Sequence, residues 1–205
     1  MIRFTKYRGE KMSTYTEKNK KTKKLIQTAF LTLLNDKPFE KVTVGDITKT
    51  AQINRGTFYL HYLDKFDLLD QMEIALFEHI GSYIDELQQN YSSLHTFNNA
   101  QEQLATALFS AIQQHVKQLK VFLSANGRAG FHLRFRDAFS AKVKANLREQ
   151  ENHFFSNNMP IDFFIAFITS AFLGLIEQWI QEDLQKSPEE MTKLYVAVIQ
   201  YIKSN

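Results

Sequence analysis

The stretch Thr43–Lys65, TVGDITKTAQINRGTFYLHYLDK, decides how the rest of the chain is read. Thr43 with Asp46 three residues on predicts a helix start. The threonine hydroxyl can accept an unpaired first-turn amide, and a carboxylate there suits the positive end of the helix dipole. Val44, Ile47 and Ala51 then share one face. The chain turns at Gln52-Ile53-Asn54, with Ile53 as an apolar plug between two helices and Asn54 as a strong N-cap. A second helix is expected from Arg55 to about Tyr62.

That second helix is oddly made for a structural element. Gly56 costs roughly 1 kcal/mol relative to alanine inside a helix, and Thr57 is no strong helix former. Phe58 and Tyr62, four apart, can pack inward, which turns Arg55, Gly56, Thr57, Tyr59, Leu60 and His61 toward solvent. Packing alone explains such a surface poorly, whereas a DNA major groove explains it well. Arg55 can reach guanine or phosphate, Gly56 allows close backbone approach, and Thr57, Tyr59 and His61 can donate to phosphates. The competing reading makes Tyr59 and His61 ordinary surface residues.

With this spacing, Thr43-Val44-Gly45-Asp46-Ile47, then Ala51-Gln52-Ile53-Asn54-Arg55-Gly56-Thr57-Phe58-Tyr59-Leu60-His61-Tyr62, then Asp64-Lys65, resembles the signature of the tetracycline-repressor (TetR) family of bacterial regulators. The resemblance covers about Thr22 to Leu69. It implies that Arg55, Thr57 and Leu60 face bases or nearby phosphates, that Thr43, Tyr59, His61 and Lys65 hold the DNA backbone, and that Phe58 is core. In the family the position of Gln52 is often glycine and that of Asn54 often serine or threonine. Asn54 keeps the capping chemistry; Gln52 puts a non-glycine residue where positive φ is expected.

Composition agrees with an all-helical chain. There are 7 glycines and 3 prolines in 205 residues, 44% are hydrophobic, and no segment alternates as a strand would. Cysteine is absent, which excludes disulfides, thiolate metal sites and a cysteine nucleophile, and fits a reducing cytoplasm. The net charge of +3 divides unevenly: residues 1–66 hold fourteen Lys/Arg against six Asp/Glu, and residues 67–205 hold eleven against sixteen. A basic head on an acidic body is what phosphate binding by one part requires. A basic tail that only keeps the chain soluble is the alternative.

Three regions follow: a disordered basic arm over 1–19, a helix-turn-helix DNA-binding domain over 20–66, and a helical effector-binding and dimerisation domain over 67–205. Met12 is a candidate for the native start. A first helix from about Lys20 to Leu34 carries Leu25, Ile26, Ala29, Phe30, Leu33 and Leu34 as one apolar stripe. Lys20, Lys21, Lys23 and Lys24 crowd its start, where the helix dipole disfavours cations unless a polyanion is near. A solvated charge run would also place them there.

In the body, Lys65 opens a helix to about Gln89 with Phe66, Leu69, Met72, Leu76, Ile80 and Ile84 inward, a mechanical link whose tilt would change the separation of two reading heads. A loop at Tyr91–Asn99, helices over Ala100–His115 and Leu119–Ala125, a break at Asn126–Gly130 and a helix from Phe131 to about Asn157 come next. Arg128, Arg134 and Arg136 could attract an anionic ligand or pair with acidic neighbours. Ile161–Asp183 is apolar nearly all round, so it must be buried. Its uncharged run is taken as shorter than a membrane span, so no membrane association is expected. Ser187-Pro188-Glu189-Glu190 is a capping box opening the last helix. Two such helices per chain can form a four-helix interface across a two-fold axis. The resemblance places dimerisation there, on Phe164, Ile168, Phe172, Leu175, Leu194, Val198 and Ile202, with Gly174 allowing close approach.

No Walker loop, G-x-G-x-x-G, H-E-x-x-H or G-x-S-x-G is present, and the six histidines show no short metal-ligand spacing. No enzyme activity, cofactor or metal is expected. Most of the eighteen phenylalanines must be core. Phe109, Phe122, Phe135, Phe139, Phe167 and Trp179 lie on segments that would correspond to the family's ligand cavity, where aromatic walls suit an apolar or aromatic effector. The expected protein is a homodimeric, all-α, cytoplasmic transcription regulator. It is a repressor on a palindromic double-stranded operator, released by a small molecule. The alternatives are a regulator without ligand control that contacts another protein, possibly as an activator, and a helical enzyme with a DNA-targeting head.

Overall fold

A computed structural model describes residues 3–90, 97–148 and 160–204, with side chains described over 16–85, 102–145 and 160–198. Among the described residues the chain is entirely helical, in nine α-helices and one 3-10 turn. These are α1 Arg3–Asp36, the turn Phe39–Lys41, α2 Val44–Thr50, α3 Arg55–Tyr59, α4 Lys65–Asn90, α5 Phe97–Gln114, α6 Val116–Leu123, α7 Phe131–Arg148, α8 Ile161–Gln181 and α9 Pro188–Ser204. They form two compact units. One holds Met1–Met72 and Ala125–Arg128; the other holds Glu73–Ser124 and Ala129–Asn205.

Helix α1 corrects one expectation. Residues 1–19 were assigned to a disordered arm, but the helix begins at Arg3 and runs on to Asp36 without a break. The reason is cooperative. A helix anchored by a packed half needs no new nucleus to extend, and Arg3–Lys24 contains no proline, seven lysines and two glutamates, residues that propagate well.

The first unit closes around Ile26, Phe30, Leu34, Phe39, Ile47, Phe58, Tyr62, Leu68 and Leu69, all nearly inaccessible. Phe39 joins Phe30 and Phe66 edge-on, with ring centroids 6.2 and 5.1 Å apart. Each buried aromatic contributes about 1.5–3 kcal/mol relative to exposure. Two expected core residues are on the outside: Leu25 is 46% exposed and Phe66 47%. Asn126 belongs to this unit by hydrogen bonds: the amide of Phe39 donates to its carbonyl at 2.9 Å, and its side-chain nitrogen donates to the Asn35 carbonyl at 3.3 Å.

In the second unit α5 packs on α9 and α7 on α8, with α6 bridging α5, α7 and α8. Its core is a run of rings. Phe139 stacks on Phe172, Phe172 meets Phe109, and Phe109 meets Trp179 edge-on, with centroids 5.1, 5.1 and 5.7 Å apart. The Trp179 indole N–H donates to the Lys186 carbonyl at 3.0 Å. Ser187 and Glu190 form the expected capping box of α9, at 2.7 and 3.3 Å. Of the expected loop Tyr91–Asn99, residues 91–96 lie outside the described residues and Phe97–Asn99 already belong to α5; the expected helix beyond Arg148 also lies outside the described residues.

Helix α8 corrects a second expectation. At 21 residues it is long and apolar enough to cross a membrane by length and composition. One face of it packs into the core, where Ile165, Thr169, Phe172, Ile176 and Trp179 are buried.

Candidate nucleic-acid interface

The surface is built from two caps. At the start of α2, the Thr43 hydroxyl accepts the Asp46 amide at 3.1 Å, and the Asp46 carboxylate accepts the Thr43 amide at 2.9 Å. The same carboxylate accepts the Thr43 hydroxyl at 2.8 Å and the Lys37 ammonium at 2.7 Å. These donors, Lys37 first and Thr43 next, pull the Asp46 carboxyl down to about 2. At the start of α3, the Asn54 side-chain oxygen accepts the Thr57 amide at 2.8 Å and the Thr57 hydroxyl at 2.9 Å. Between the caps, Gln52 takes φ 55°. This is the left-handed turn residue that the motif requires, held by a side chain that gains nothing from it.

Helix α3 is shorter than expected, ending at Tyr59 with Leu60 as its C-cap. Phe58 and Tyr62 are pinned in the core at 0% and 2% exposure, as expected for an i, i+4 pair. Arg55 and Gly56 face solvent. Tyr59 is 55% exposed, Leu60 83% and Leu63 81%. A methyl group added at Gly56 would meet only the Asn54 side-chain oxygen, at 3.5 Å. Packing inside the chain therefore does not demand glycine there.

The remaining candidates divide. Lys24, with Lys20 and Lys21, is exposed. Lys23 instead lies over the Tyr62 ring at 5.6 Å. His61 is half-buried, with its Nδ1 atom buried and unpartnered among the described residues. Burial, and then the charge of Lys23, hold its imidazole below the ordinary value.

Lys65 is engaged inside the chain. Its ammonium donates to the carbonyls of Phe39, Glu40 and Val42, each at 2.9 Å. An ammonium has three protons, and all three are engaged inside the chain. Lys65 thus ties down the turn before α2. The sequence carries no sign of this, because carbonyls left open by a short 3-10 turn are not written in side chains. Thr43 and Thr57 are similarly committed, each hydroxyl proton being donated to its cap partner. Among the expected contacts, Asn54, Arg55, Tyr59, Leu60 and Lys24 are exposed, together with Lys20, Lys21 and Leu63.

The other predicted sites lie in the second unit. A cleft of about 210 Å³ is lined by Phe77, Glu78, Ile80, Gly81, Phe135, Ala138, Phe139 and Lys142. Of the six expected cavity residues it takes Phe135 and Phe139. Phe109, Phe122 and Trp179 are at most 3% exposed and packed against other rings, while Phe167 is 47% exposed on the outer side of α8. Burial also lifts the Tyr195 phenol, beside Phe109 and Phe172, to about 12. The three arginines expected to draw an anion are engaged by acids: Arg128 by Asp70, Arg134 in a two-pronged pair with Glu73, and Arg136 by Asp137.

The expected dimer residues divide by exposure. Phe172 is 2% exposed and belongs to the protomer core, while Phe164, Ile168 and Leu175 are half-buried. The outward face carries Phe163 at 72% and Phe167 at 47%, alongside exposed Ala166, Ser170 and Gly174, with Leu194 and Val198 of α9 each at 43%. A methyl at Gly174 would meet nothing within 4 Å. Ile202 lies outside the described side chains.

Residues 26–72 match bacterial regulatory proteins of the tetR family, and residues 98–201 match a transcriptional regulator C-terminal region of the same class. The chain belongs to the TetR family of transcriptional regulators. This TetR-family chain is 26% identical over 173 residues to YxbF, an HTH-type transcriptional regulator of Bacillus subtilis, covering 82% of this chain and 42% of that protein. YwcC, from the same organism, is 30% identical over 86 residues, covering 40% of this chain and 38% of that protein. The chain spans less than half the length of the curated relatives it matches. Among solved structures, a TetR transcriptional regulator from Streptococcus agalactiae is 26% identical at a TM-score of 0.63, covering 92% of this chain and 98% of that one. A TetR-family structure from Syntrophomonas wolfei shares the fold at a TM-score of 0.70 and 18% identity, covering 91% and 97%.

Proposed function

We propose that this chain is a homodimeric, cytoplasmic repressor whose two copies of α3 read the half-sites of a palindromic operator, about 34–36 Å apart along the duplex. The observation that carries the reading is the surface of α3. It leaves Arg55, Gly56, Tyr59 and Leu60 toward solvent, although Gly56 and Leu60 give the fold nothing there, and Lys24 of α1 is exposed as well. Arg55 and Asn54 supply directional donors, Leu60 suits a thymine methyl, and Tyr59 and Lys24 suit phosphates. The outward face of α8 and α9 is the surface on which a second copy packs. An apolar effector entering the Phe135–Phe139 cleft would release the DNA by favouring a conformation with the wrong half-site spacing. It can do so only through unequal affinity for the two conformations.

A second reading follows from the same rings. Phe109, Phe139, Phe172 and Trp179 fill one another's space. A body so filled favours a regulator that works without a small molecule, through a protein partner. Fluorescence anisotropy of purified protein on the DNA upstream of its own gene tests the first claim. Binding is expected to weaken steeply with salt and to fall in Arg55→Ala and Tyr59→Phe. Affinity unchanged in both variants would remove α3 from the interface. Thermal-shift screening with aromatic and fatty acids separates the readings: stabilisation by one of them, with loss of DNA binding, supports the effector.

A further inference from the structure

Gly45 occupies the second position of α2, where alanine would be the better helix former. A methyl group there would stand 2.9 Å from Nη2 and 3.9 Å from Cζ of Arg55, and 3.5 Å from the Thr43 hydroxyl. The Arg55 guanidinium therefore lies directly across the bare first turn of α2, close enough that any side chain at position 45 would displace it. This contact does little for the fold. A cation gains nothing from the positive end of a helix, and Asp46, the nearby carboxylate, already accepts three donors from Thr43 and Lys37. Among the described residues no carboxylate forms an ion pair with Arg55.

We propose that Gly45 is a positioning residue for Arg55: by lacking a side chain it seats the guanidinium against α2 and so fixes the direction from which that arginine meets the duplex. The inference rests on the reading of α3 as the DNA-contacting helix. Its physical basis is pre-organisation. A planar five-donor fork reads a base edge only in a narrow range of poses, and a flexible side chain held near one of them loses less freedom on binding. Arg55 opens α3, and Gly45 lies in the helix before it. The pair thus couples the two helices of the motif through one side chain and one absent methyl group. Nothing local in the sequence asks for glycine at that position.

The test is a double-mutant cycle on the full chain. The probes are a duplex that the wild-type protein selects from a random-sequence pool and a shuffled duplex of the same composition. Gly45→Ala is expected to leave the melting temperature unchanged or raised while weakening binding to the selected duplex about tenfold, in line with the loss of one base-reading contact. Binding to the shuffled duplex should stay within about twofold, since phosphate contacts set it. In an Arg55→Ala or Arg55→Lys background, the further effect of Gly45→Ala should vanish. Two results would overturn the proposal: Gly45→Ala matching wild type on the selected duplex, or the Gly45→Ala loss persisting undiminished when Arg55 is gone, which would mean that the methyl acts on the fold or on clearance from DNA. An Arg55→Ala variant that binds as tightly as wild type, or a wild-type protein that enriches no sequence, would instead remove the DNA reading of α3, and this inference with it.

Discussion

Helices α3 and α8 both hold large apolar side chains in water, and their surroundings are opposite. On α3, Tyr59 and Leu60 stand beside Arg55 and a glycine that nothing inside the chain needs. On α8, Phe163 and Phe167 stand beside Ala166, Ser170 and Gly174, with Leu194 and Val198 of α9 also exposed. Apolar surface interleaved with unengaged donors suits a polyanion with methyl groups in its groove; apolar surface beside small residues suits another helix at close range. Exposure alone does not name a partner, but the chemistry beside the exposed residue does.

The contrast breaks most easily at α8. Phe163→Asp with Phe167→Asp is expected to weaken self-association by more than about 100-fold, since central aromatic anchors each contribute about 2 kcal/mol or more. Sedimentation should then show a folded monomer. A dimer of undiminished affinity would mean that this face is covered by something other than a second copy. On α3 the expected losses are smaller. Arg55→Ala should cost about 1–3 kcal/mol of operator binding and relax the sequence preference. Leu60→Ala should cost about 1 kcal/mol or less, through the methyl contact alone, and leave the salt dependence unchanged. Should Leu60→Ala abolish binding while Arg55→Ala does nothing, the apolar contact and not the arginine carries recognition.

Two further measurements concern what holds these surfaces in place. Asp46→Asn removes the negative charge that caps α2 and pairs with Lys37, leaving a neutral amide oxygen to accept from Thr43, and should destabilise the protein by about 1 kcal/mol in thermal melts near neutral pH. With its carboxyl lowered to about 2, Asp46 contributes fully above its ordinary value near 4 and loses that contribution as pH falls toward 2. Asp46→Asn should therefore flatten the acid limb of the stability curve. His115 gives a milder signal. Burial first, and then the neighbouring His79, lower its imidazole below 6.5. The folded state takes up that proton less readily than the unfolded one, so this stability is complete above about pH 6.5 and is lost as pH falls through the lowered value. A melting temperature that declines between pH 7 and 5, and declines less in His115→Asn, is expected.

The sequence was most legible where structure is set by neighbours in the chain. The caps at Thr43, Asn54 and Ser187 all form, because a capping side chain and its target amide are separated by three residues and little else intervenes. Phe58 and Tyr62 were placed correctly by helical spacing. Helix α8 was not, and for a definite reason: a helix apolar on every side gives periodicity no phase, so nothing distinguished Phe172, which is buried, from Phe167, which is exposed. The length of α1 was missed because a polar, basic segment reads as disorder unless the packed helix that seeds it is known. The tie that Lys65 makes to the turn before α2 is not legible in the sequence, because its partners are main-chain carbonyls some 23 to 26 residues away.

The engagement of Lys65 has a consequence for anyone mapping the interface by amine-reactive footprinting. An ammonium already clasped by three oxygens resists acylation whether or not duplex is present, so Lys65 should stay unlabelled in both states and mimic a protected contact only if the free protein is never measured. Lys20, Lys21 and Lys24, open in the free chain, are the amines whose labelling can report on DNA.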